Sequence, residues 1–298
     1  MPTVASPRPT AAPPWPHTLG RAAGAGTRSH EPTRPLLMGI CNVTPDSFAD
    51  GGRLYPDGHP EAAVGTARRL AAEGAAIIDV GGESTRPGAE PVEVGEELAR
   101  VVPVVAALAA DGLCVSVDTT KPEVAEAALA AGACIVNDVG GGAPDLLEVV
   151  AGANAGYVLM HARGTPATMR TLTDYDDVVR DVADALTEGL TRCARAGIDL
   201  DRVVTDPGIG FAKTAAQSLA LLAAIPRFTA LGRPVLIGAS RKSFLHGIGG
   251  ADTVADRLEG SLAVAALATR DGAGVLRVHD VAATRRAVAA AAAIDAAR

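Results

Sequence analysis

The sequence predicts a (β/α)₈ barrel, in which eight parallel strands form a closed ring surrounded by helices. From Pro35 onward, short apolar runs alternate with longer Ala-rich segments of helical period. Such alternation is typical of a parallel sheet covered by helices. Eight of these units in about 260 residues fit a closed barrel better than an open doubly wound sheet, which is the alternative architecture.

Eight apolar runs are the candidate strands, and a segment of helical period follows each of them. The strands are expected at residues 35–41, 75–80, 113–118, 133–137, 156–160, 202–206, 234–238 and 274–278. The helices are expected near residues 60–73, 93–110, 122–131, 144–153, 175–196, 215–224, 254–271 and 281–297. Five glycines lie where helices should stop, as glycines after helix ends do: Gly74, Gly112, Gly132, Gly197 and Gly232.

Residues 1–34 differ from the rest of the chain. They are rich in Pro, Ala, Gly, Arg and Thr, and they have neither apolar periodicity nor the apolar core of a secretory signal. Such a segment cannot bury enough apolar surface to offset its ordering entropy, so a disordered tail is expected. No strong boundary divides the remainder, and residues 35–298 are predicted to form one barrel domain.

The charge balance limits the possible partners. Lys and Arg total 27 against 34 for Asp and Glu, which gives a net charge of −7. General nucleic-acid binding requires a basic surface and is therefore not expected. A local basic pocket could still hold an anionic small molecule. No run of about 18 apolar residues occurs, so no membrane span is expected.

The four cysteines are widely spaced, with no CxxC pair and no spacing typical of a zinc site. They are Cys41, Cys114, Cys134 and Cys193. Three lie in apolar runs, where cysteine behaves as a small hydrophobic residue. We expect free, buried thiols in a reducing cytoplasm. The histidines form no HExxH motif, so a catalytic zinc site is not expected either.

Polar side chains stand at the carboxyl end of every candidate strand. They are Asn42, Asp79, Asp118, Asn137, His161, Asp206, Lys242, Arg277 and His279. For any one residue a structural explanation is equally good, because polar residues begin where strands end. In a parallel barrel, however, all of these ends face the same way and build the active site. The strand starts are mainly Gly, Ala, Leu and Pro, which favours the functional interpretation.

The strand-end residues fall into two chemical groups. Asn42, Asp118, Asn137 and Asp206 offer fixed donors and acceptors that suit a flat, hydrogen-bonding heterocycle, since a carboxylate favours paired N–H donors. Arg86, Lys242, Arg277 and His279 offer positive charge, which suits phosphate groups. The alternative for the second group is a scatter of solvated cations.

Eight motifs carry a resemblance to a known family. They are MGICNVTPDSFADGG, DVGGESTRPGA, SVDTTKPEV, IVNDV, VLMHARGTP, DPGIGFAKT, IGASRKSFL and RVHDV. In this order they resemble the dihydropteroate synthases, the folate-pathway enzymes that sulfonamides target, and the resemblance extends from about residue 36 to residue 297. A single motif would mean little, whereas seven or more in order are highly specific.

The resemblance implies a fold and a reaction. The fold is again the (β/α)₈ barrel. The reaction joins 6-hydroxymethyl-7,8-dihydropterin pyrophosphate to 4-aminobenzoate, releases pyrophosphate and forms 7,8-dihydropteroate, with Mg²⁺ assisting. It is a substitution at a methylene carbon in which the leaving group departs early and the cation is delocalised over the pterin.

The resemblance also implies which residues hold the pterin. Asp118, Asn137, Asp206 and Lys242 would bind it, and Met160, Val139, Ile40 and Phe211 would pack around its ring. Each of the last four could equally be an ordinary core residue. Asp118, Asp206 and Lys242 would act in catalysis, because carboxylates beside a developing cation stabilise it.

The other two ligands are assigned on the same basis. Asn42 would lie beside Mg²⁺ and the pyrophosphate, since Mg²⁺ is often held by few protein ligands and several phosphate oxygens. The pyrophosphate would also meet Arg86, Arg277 and His279. The residues expected at 4-aminobenzoate are Thr85, Arg86, Pro87, Phe48, Ser240 and Lys242.

Two loops and two helices complete the expectations. Loops 43–58 and 82–92 contain Gly and Pro and are plausible lids that order once pyrophosphate and Mg²⁺ are bound. The resemblance suggests a homodimer packed through late helices, and the Ala-rich segments 258–271 and 281–297 are compatible with that or with ordinary packing on the barrel. A cytoplasmic enzyme of small-molecule substrates is the resulting expectation.

Three rival functions are kept open. A pterin-dependent methyltransferase with a corrinoid partner would share the pterin pocket but would not need the ESTRP, SRK and RVH motifs together. A non-catalytic paralogue should have lost several of the strand-end residues named above. A sugar-phosphate barrel enzyme is the third alternative, although no lysine lies alone in an apolar strand as a Schiff-base lysine would.

Overall fold

The structure is a computed structural model, and it describes residues 34–44, 60–86 and 88–297. The strands are β1 Leu36–Asn42, β2 Ile77–Gly81, β3 Val115–Asp118, β4 Ile135–Asp138, β5 Gly156–Met160, β6 Val203–Asp206, β7 Leu236–Ile237 and β8 Val275–Val278. The helices are α1 Glu61–Glu73, α2 Val94–Ala110, α3 Pro122–Ala130, α4 Pro144–Ala153, α5 Val178–Arg195, α6 Ala215–Ala223, α7 Ile225–Thr229, α8 Leu258–Arg270 and α9 Val281–Asp295. The tail and most of loop 43–58 lie outside the described residues.

The eight strands form a parallel sheet in the order β6-β5-β4-β3-β2-β1-β8-β7. A parallel bridge between Thr205 and Val235 joins the two outer strands of that order and closes the ring. The Thr205 N–H also donates to the Pro234 carbonyl at 3.0 Å. The (β/α)₈ prediction is therefore confirmed, and the open-sheet alternative is wrong.

Side chains inside the barrel change character along each strand. Near the amino ends, seven fully buried apolar side chains fill the interior: Met38, Ile77, Ile135, Val158, Val204, Leu236 and Val275. Because strand side chains alternate between the two faces, the next inward position lies two residues further on. Those positions include Asp79, Asn137, Asp206 and Arg277. The polar layer therefore begins directly above the apolar one.

The outer faces of the strands pack against the helices in a larger apolar cluster built mainly from Val, Leu, Ile and Ala. The predicted helices are all present, with α7 as an additional short one. Capping fixes two of them: Asp177 accepts from the N–H groups of Val179 and Arg180 at 3.1 Å, and Thr214 forms a capping box with Gln217. In the part of the chain that the structure describes, no helix has both the length and the apolar character needed to cross a bilayer.

The cysteines are free thiols, but only two of the four are fully buried. Cys41 and Cys193 lie in the outer core, as predicted. Cys114 and Cys134 are half-buried, and the prediction of burial is wrong for them, because they precede β3 and β4 at the open amino end of the barrel. Their Sγ atoms lie 3.2 Å apart.

Candidate active site

A cavity of about 1140 Å³ opens at the carboxyl ends of the strands. Nine of the predicted site residues line it: Ile40, Asn42, Thr85, Arg86, Phe211, Ser240, Lys242, Arg277 and His279. The predicted residues Phe48 and Pro87 lie outside the described part of the chain. A second cavity of about 40 Å³ adjoins the first through Glu83 and Thr85, and Asp118 and Val139 line it.

Hydrogen bonds at the cavity floor connect Arg277 with two buried carboxylates, and one of these carboxylates with Asn137. Arg277 Nε donates to Asp79 Oδ2 at 2.6 Å, and Arg277 Nη2 donates to Asp118 Oδ2 at 2.6 Å. Asp79 Oδ2 also accepts from Asn137 Nδ2 at 3.0 Å. Burial by itself would lower the pKa of Arg277, but the two carboxylates raise it overall, so the guanidinium remains charged. Arg277, which was predicted for the anion, therefore contacts Asp118, which was predicted for the pterin.

Asp118, like Asp79, has one buried carboxylate oxygen without a hydrogen-bond partner among the described residues, and in Asp118 this atom is Oδ1. Burial raises the pKa of Asp118 to about 7, although Arg277 opposes that shift. A buried carboxylate oxygen without a partner is costly. The site is thus suited to a ligand that brings N–H donors to Asp118.

Asp206 and Lys242 lie on the other side of the barrel axis, with loop 207–212 between them. Asp206 Oδ1 accepts from the Gly208 N–H at 2.7 Å, and Lys242 Nζ donates to the Ile209 carbonyl at 2.5 Å. The Lys242 ammonium also lies 4.5 Å from the centre of the Phe211 ring. Burial raises the pKa of Asp206, while burial lowers the pKa of Lys242 to about 8 against the effect of Asp206.

Gly208 explains why the DPGIGF motif turns where it does. Its φ is +68°, a left-handed conformation that glycine adopts without strain. A Cβ at this position would lie 2.0 Å from the His161 carbonyl oxygen. The glycine therefore lets the loop pass close to β5 and present Ile209 and Phe211 to Lys242.

Ser240 and His279 form a pair at the rim of the cavity. The Ser240 hydroxyl accepts from the backbone N–H of His279 at 3.2 Å and lies 3.0 Å from Nδ1 of the His279 ring. Burial and the nearby Arg277 lower the pKa of His279 to about 3. Burial therefore disfavours the positive charge expected at His279, and an uncharged ring would act there as a hydrogen-bonding group.

Arg241 holds this rim together. Its φ is +57°, and its guanidinium makes paired hydrogen bonds to Asp280 at 2.9 and 2.5 Å. Its backbone N–H donates to Ser261 Oγ at 2.9 Å. The turn after β7 is thus tied to the loop after β8, which fixes Ser240 and Lys242 beside His279.

Asn42 is half-buried at the end of β1 and is the predicted Mg²⁺ ligand. Its register partner is Gly81, which in turn pairs with Asp118, so the three residues lie side by side across the sheet. A Cβ on Gly81 would lie 3.8 Å from Asn42 Oδ1 and 3.4 Å from the Asp118 Cβ. Among the described residues, no cluster of three His, Cys, Asp or Glu side chains could hold a metal ion. The donor set fits a hard cation that takes most of its ligands from phosphate and water.

The remaining predicted residues lie deeper. Asn137 and Asp206 are buried beneath the cavity, and Met160 is buried beside Asp206 in the β5–β6 register. Ile40 and Phe211 reach the main cavity, whereas Val139 reaches only the smaller one. The four apolar residues are therefore not equivalent, and Met160 is the one closest to an ordinary core residue.

Four residues near the site were given no role from the sequence. Asp79 was among the polar strand ends without an assigned role, and it is fully buried with two donors on one oxygen. Lys121, Glu83 and Glu97 form an ion-paired group beneath loop 82–92. Helical phase could have indicated Glu97, because it lies four residues before the buried Val101 on α2.

Comparison with known proteins agrees with this geometry. Residues 38–279 match the model of the pterin binding enzyme family. A dihydropteroate synthase of Mycobacterium leprae is 49% identical over 253 residues, which cover 82% of this chain and 88% of that protein. In the structures compared, Xanthomonas albilineans dihydropteroate synthase with 4-aminobenzoic acid has a TM-score of 0.80 at 48% identity and covers 88% of this chain and 93% of that one.

A second structure of the Xanthomonas albilineans enzyme, in complex with 7,8-dihydropteroate, has a TM-score of 0.77 at 45% identity and covers 88% of this chain and 94% of that one. The similarity thus extends over most of the chain. The chain therefore belongs to the pterin-binding enzymes and, within them, to the dihydropteroate synthase family.

Proposed function

We propose that this protein joins 6-hydroxymethyl-7,8-dihydropterin pyrophosphate to 4-aminobenzoate. The bond between the methylene carbon and the pyrophosphate oxygen breaks, a bond from that carbon to the amine nitrogen forms, and one amine proton is released. The observation that carries the proposal is the pair of buried carboxylates, Asp118 and Asp206, beneath the cavity. Arg86, Lys242 and Arg277 line that cavity.

The pterin is the ligand proposed to hydrogen-bond to the unpaired carboxylate oxygen of Asp118. An amino-pyrimidine edge presents adjacent N–H donors, and a carboxylate accepts such donors in pairs. Asp206 and Asn137 offer further acceptors at the same depth of the barrel. Binding of the pterin would supply Asp118 Oδ1 with the partner that it lacks among the described residues.

The same carboxylates stabilise the charge that develops during the reaction. As the pyrophosphate leaves, positive charge spreads over the pterin, next to Asp118 and Asp206. Fixed charges in a buried site act without reorganising at the moment of reaction, and such preorganised electrostatics supply much of enzymatic rate enhancement. Lys242, whose ammonium is held by the Ile209 carbonyl, lies between this region and the aminobenzoate side.

The two anionic ligands would share Arg86 and otherwise contact different residues of the cavity. Arg86, Arg277 and His279 would bind the pyrophosphate, and Asn42 would contribute one oxygen to Mg²⁺. When bound, Mg²⁺ would neutralise charge on the leaving group. Thr85, Arg86, Ser240 and Lys242 would hold 4-aminobenzoate, whose weakly basic amine needs positioning more than a strong base.

Two complexes of a similar protein support the proposed reaction. The Xanthomonas albilineans dihydropteroate synthase has been solved with 4-aminobenzoic acid and with 7,8-dihydropteroate, which are a substrate and the product of the proposed reaction. The rival functions named from the sequence have no comparable observation in their favour.

The direct test is product formation by the purified protein. We expect 7,8-dihydropteroate to form from the two substrates, to require both of them, and to form faster with Mg²⁺ than after chelation. Folded protein that makes no product in the presence of Mg²⁺ would refute the proposed reaction. Product formation that is insensitive to chelation would refute the metal assignment alone.

A homodimer packed through α8 and α9 is part of the same proposal. The two helices pack on each other at the barrel surface, and each carries an exposed apolar side chain, Leu267 at 50% and Ile294 at 64% exposure. Sedimentation of the wild-type protein and of Leu267→Glu should show a dimer and a shift towards monomer. A wild-type monomer at micromolar concentration would contradict the assignment.

A further inference from the structure

Beneath loop 82–92 lies a group of three charged residues, Lys121, Glu83 and Glu97, which we call the Lys121 clip. The Lys121 ammonium makes ion pairs with Glu83 Oε2 and with Glu97 Oε2. Glu83 belongs to the loop, Glu97 to the first turn of α2, and Lys121 to the residues between β3 and α3. The clip therefore connects three separate segments at the carboxyl end of the barrel.

Stability alone is a poor explanation for this arrangement. The Glu97 side chain is only 1% exposed, and its Oε1 has no hydrogen-bond partner among the described residues. One ammonium thus serves two carboxylates, one of which is buried and incompletely satisfied. Buried ion pairs of this kind often stabilise a fold no better than apolar residues of similar volume. The group is better explained by what it positions.

What the clip positions is the base of loop 82–92. Glu83 Oε2 accepts from the Val92 N–H at 2.9 Å in addition to the Lys121 ammonium, so one carboxylate oxygen joins both ends of the loop. Arg100 holds the same base from α2, with Nη1 donating to the Gly82 carbonyl at 2.8 Å. Gly82 packs closely against α2, because a Cβ there would lie 2.7 Å from Val101 Cγ2.

The two ends of the clip lead to the two substrate regions. Thr85 and Arg86 follow Glu83 by two and three residues and line the main cavity. Lys121 follows Asp118 by three residues, and its backbone N–H donates to Thr119 Oγ1 at 3.2 Å. Lys121, Glu83, Glu97 and Asp118 together line the small cavity that lies between these regions. Through its ion pair with Glu83, the Lys121 ammonium therefore links the Asp118 segment to the loop that carries Thr85 and Arg86.

We propose that Lys121 is a positioning residue, which sets Thr85 and Arg86 at the distance from Asp118 that 4-aminobenzoate requires. This inference rests on the proposed function. It assigns to Lys121 an effect on the affinity for 4-aminobenzoate and none on the contacts that hold the pterin. The ammonium stays charged in this role, since Glu83 and Glu97 outweigh burial and raise the pKa of Lys121.

The test is a split between the two KM values. In Lys121→Met the KM for 4-aminobenzoate should rise roughly tenfold, because small displacements of positioning groups cost one to two orders of magnitude. The KM for the pterin pyrophosphate should stay within about twofold of the wild-type value. Lys121→Arg should recover most of the loss, since a guanidinium can also pair with two carboxylates.

Two variants separate positioning from stability. Lys121→Met combined with Glu97→Gln removes the uncompensated buried charge, so the melting temperature should recover while the KM for 4-aminobenzoate stays raised. Arg233→Met is the matched control, because Arg233 pairs with Asp201 at a similar exposure, 24% against 20% for Lys121, but stands before β7 at the opposite end of the barrel. It should leave both KM values unchanged.

The outcomes are distinct. If both KM values rise together in the double variant, or neither changes, Lys121 is only a structural residue and the inference is wrong. If the double variant recovers both stability and the KM for 4-aminobenzoate, the inference is equally wrong. Absence of dihydropteroate formation by the wild-type protein would instead refute the proposed function, and that result is obtained before any variant is made.

Discussion

The two ends of the barrel interior use the same strands for opposite purposes. Near the amino ends, inward side chains such as Val204, Leu236 and Val275 are apolar and fully buried, with every contact satisfied by packing. One inward step further along, Asp206 and Asp79 are polar and buried and Arg277 is half-buried, and Asp79 Oδ1 has no hydrogen-bond partner among the described residues. A step of two residues thus separates the layer that stabilises the fold from the layer that we propose binds ligand.

The comparison teaches that burial alone does not identify a core residue in this protein. Asp118 and Leu236 are both shielded from water, yet one leaves an acceptor unpaired and the other leaves nothing unpaired. Sites of this kind trade stability for function. Substitutions in the two layers should therefore change different properties, and each prediction below tests whether they do.

The largest effect is expected from removing charge beside the polar layer, at Lys242 or at Asp118, the register partner of Asn137. Lys242→Ala and Asp118→Ala should each lose at least about 2 kcal/mol of transition-state stabilisation, which is roughly a thirtyfold or greater drop in kcat/KM. Steady-state kinetics with both substrates measure it. Near-normal kcat/KM in both variants would show that the polar layer is not the catalytic one.

The next effect concerns the apolar layer. Leu236→Ala should lower the free energy of unfolding by about 2–5 kcal/mol, because a fully buried side chain is replaced by a cavity. Urea unfolding measures this loss. The kcat/KM of the fraction that remains folded should stay within a few fold of wild type, and a thirtyfold loss there would erase the distinction between the layers.

The pH dependence of kcat/KM should follow from the titration of Asp118 and Lys242. Asp118, with a pKa raised to about 7, must be ionised to accept the N–H groups of the pterin, so kcat/KM should fall as the pH drops below about 7. Lys242, with a pKa lowered to about 8, loses its charge above that value, so kcat/KM should fall again. The pH profile of Asp118→Asn should lack the acidic limb. An unchanged acidic limb in that variant would assign it to another group.

The smallest effect is expected at the rim. Ser240→Ala removes the hydroxyl that pairs with His279, and a hydrogen bond of this kind contributes about 0.5–1.5 kcal/mol. The KM for 4-aminobenzoate should rise a few fold, and the free energy of unfolding should fall by no more than about 1.5 kcal/mol. A loss as large as that of Lys242→Ala would place Ser240 among the catalytic groups instead.

The fold could be predicted from the sequence because each β–α unit carries its own signals. Apolar runs, helical period and five helix-ending glycines agreed, and all five glycines have positive φ. Strand β7 is shorter than predicted, with only Leu236–Ile237 in regular pairing, since Pro234 has no N–H to donate. Helix α7 was missed because five residues carry too little periodicity.

The sequence could predict which residues form the site, but not which of them contact one another. Strand ends indicated which residues converge, since a barrel brings all carboxyl ends together. No sequence pattern reveals that Arg277 contacts both Asp79 and Asp118, because those residues are far apart along the chain. Likewise, neighbouring Glu96 and Glu97 look alike in the sequence, yet one is 58% exposed and the other 1%. The lowered pKa of His279 depends on burial and on Arg277, which only the folded site provides.

The central claim is that the polar layer binds the pterin and the apolar layer holds the fold. Calorimetric titration of the pterin pyrophosphate into Asp118→Asn and Leu236→Ala tests it directly. Asp118→Asn should keep a melting temperature near that of the wild type and bind at least about thirtyfold more weakly. Leu236→Ala should melt earlier and bind with the wild-type Kd. Wild-type affinity in Asp118→Asn, or weakened affinity in folded Leu236→Ala, would contradict the account.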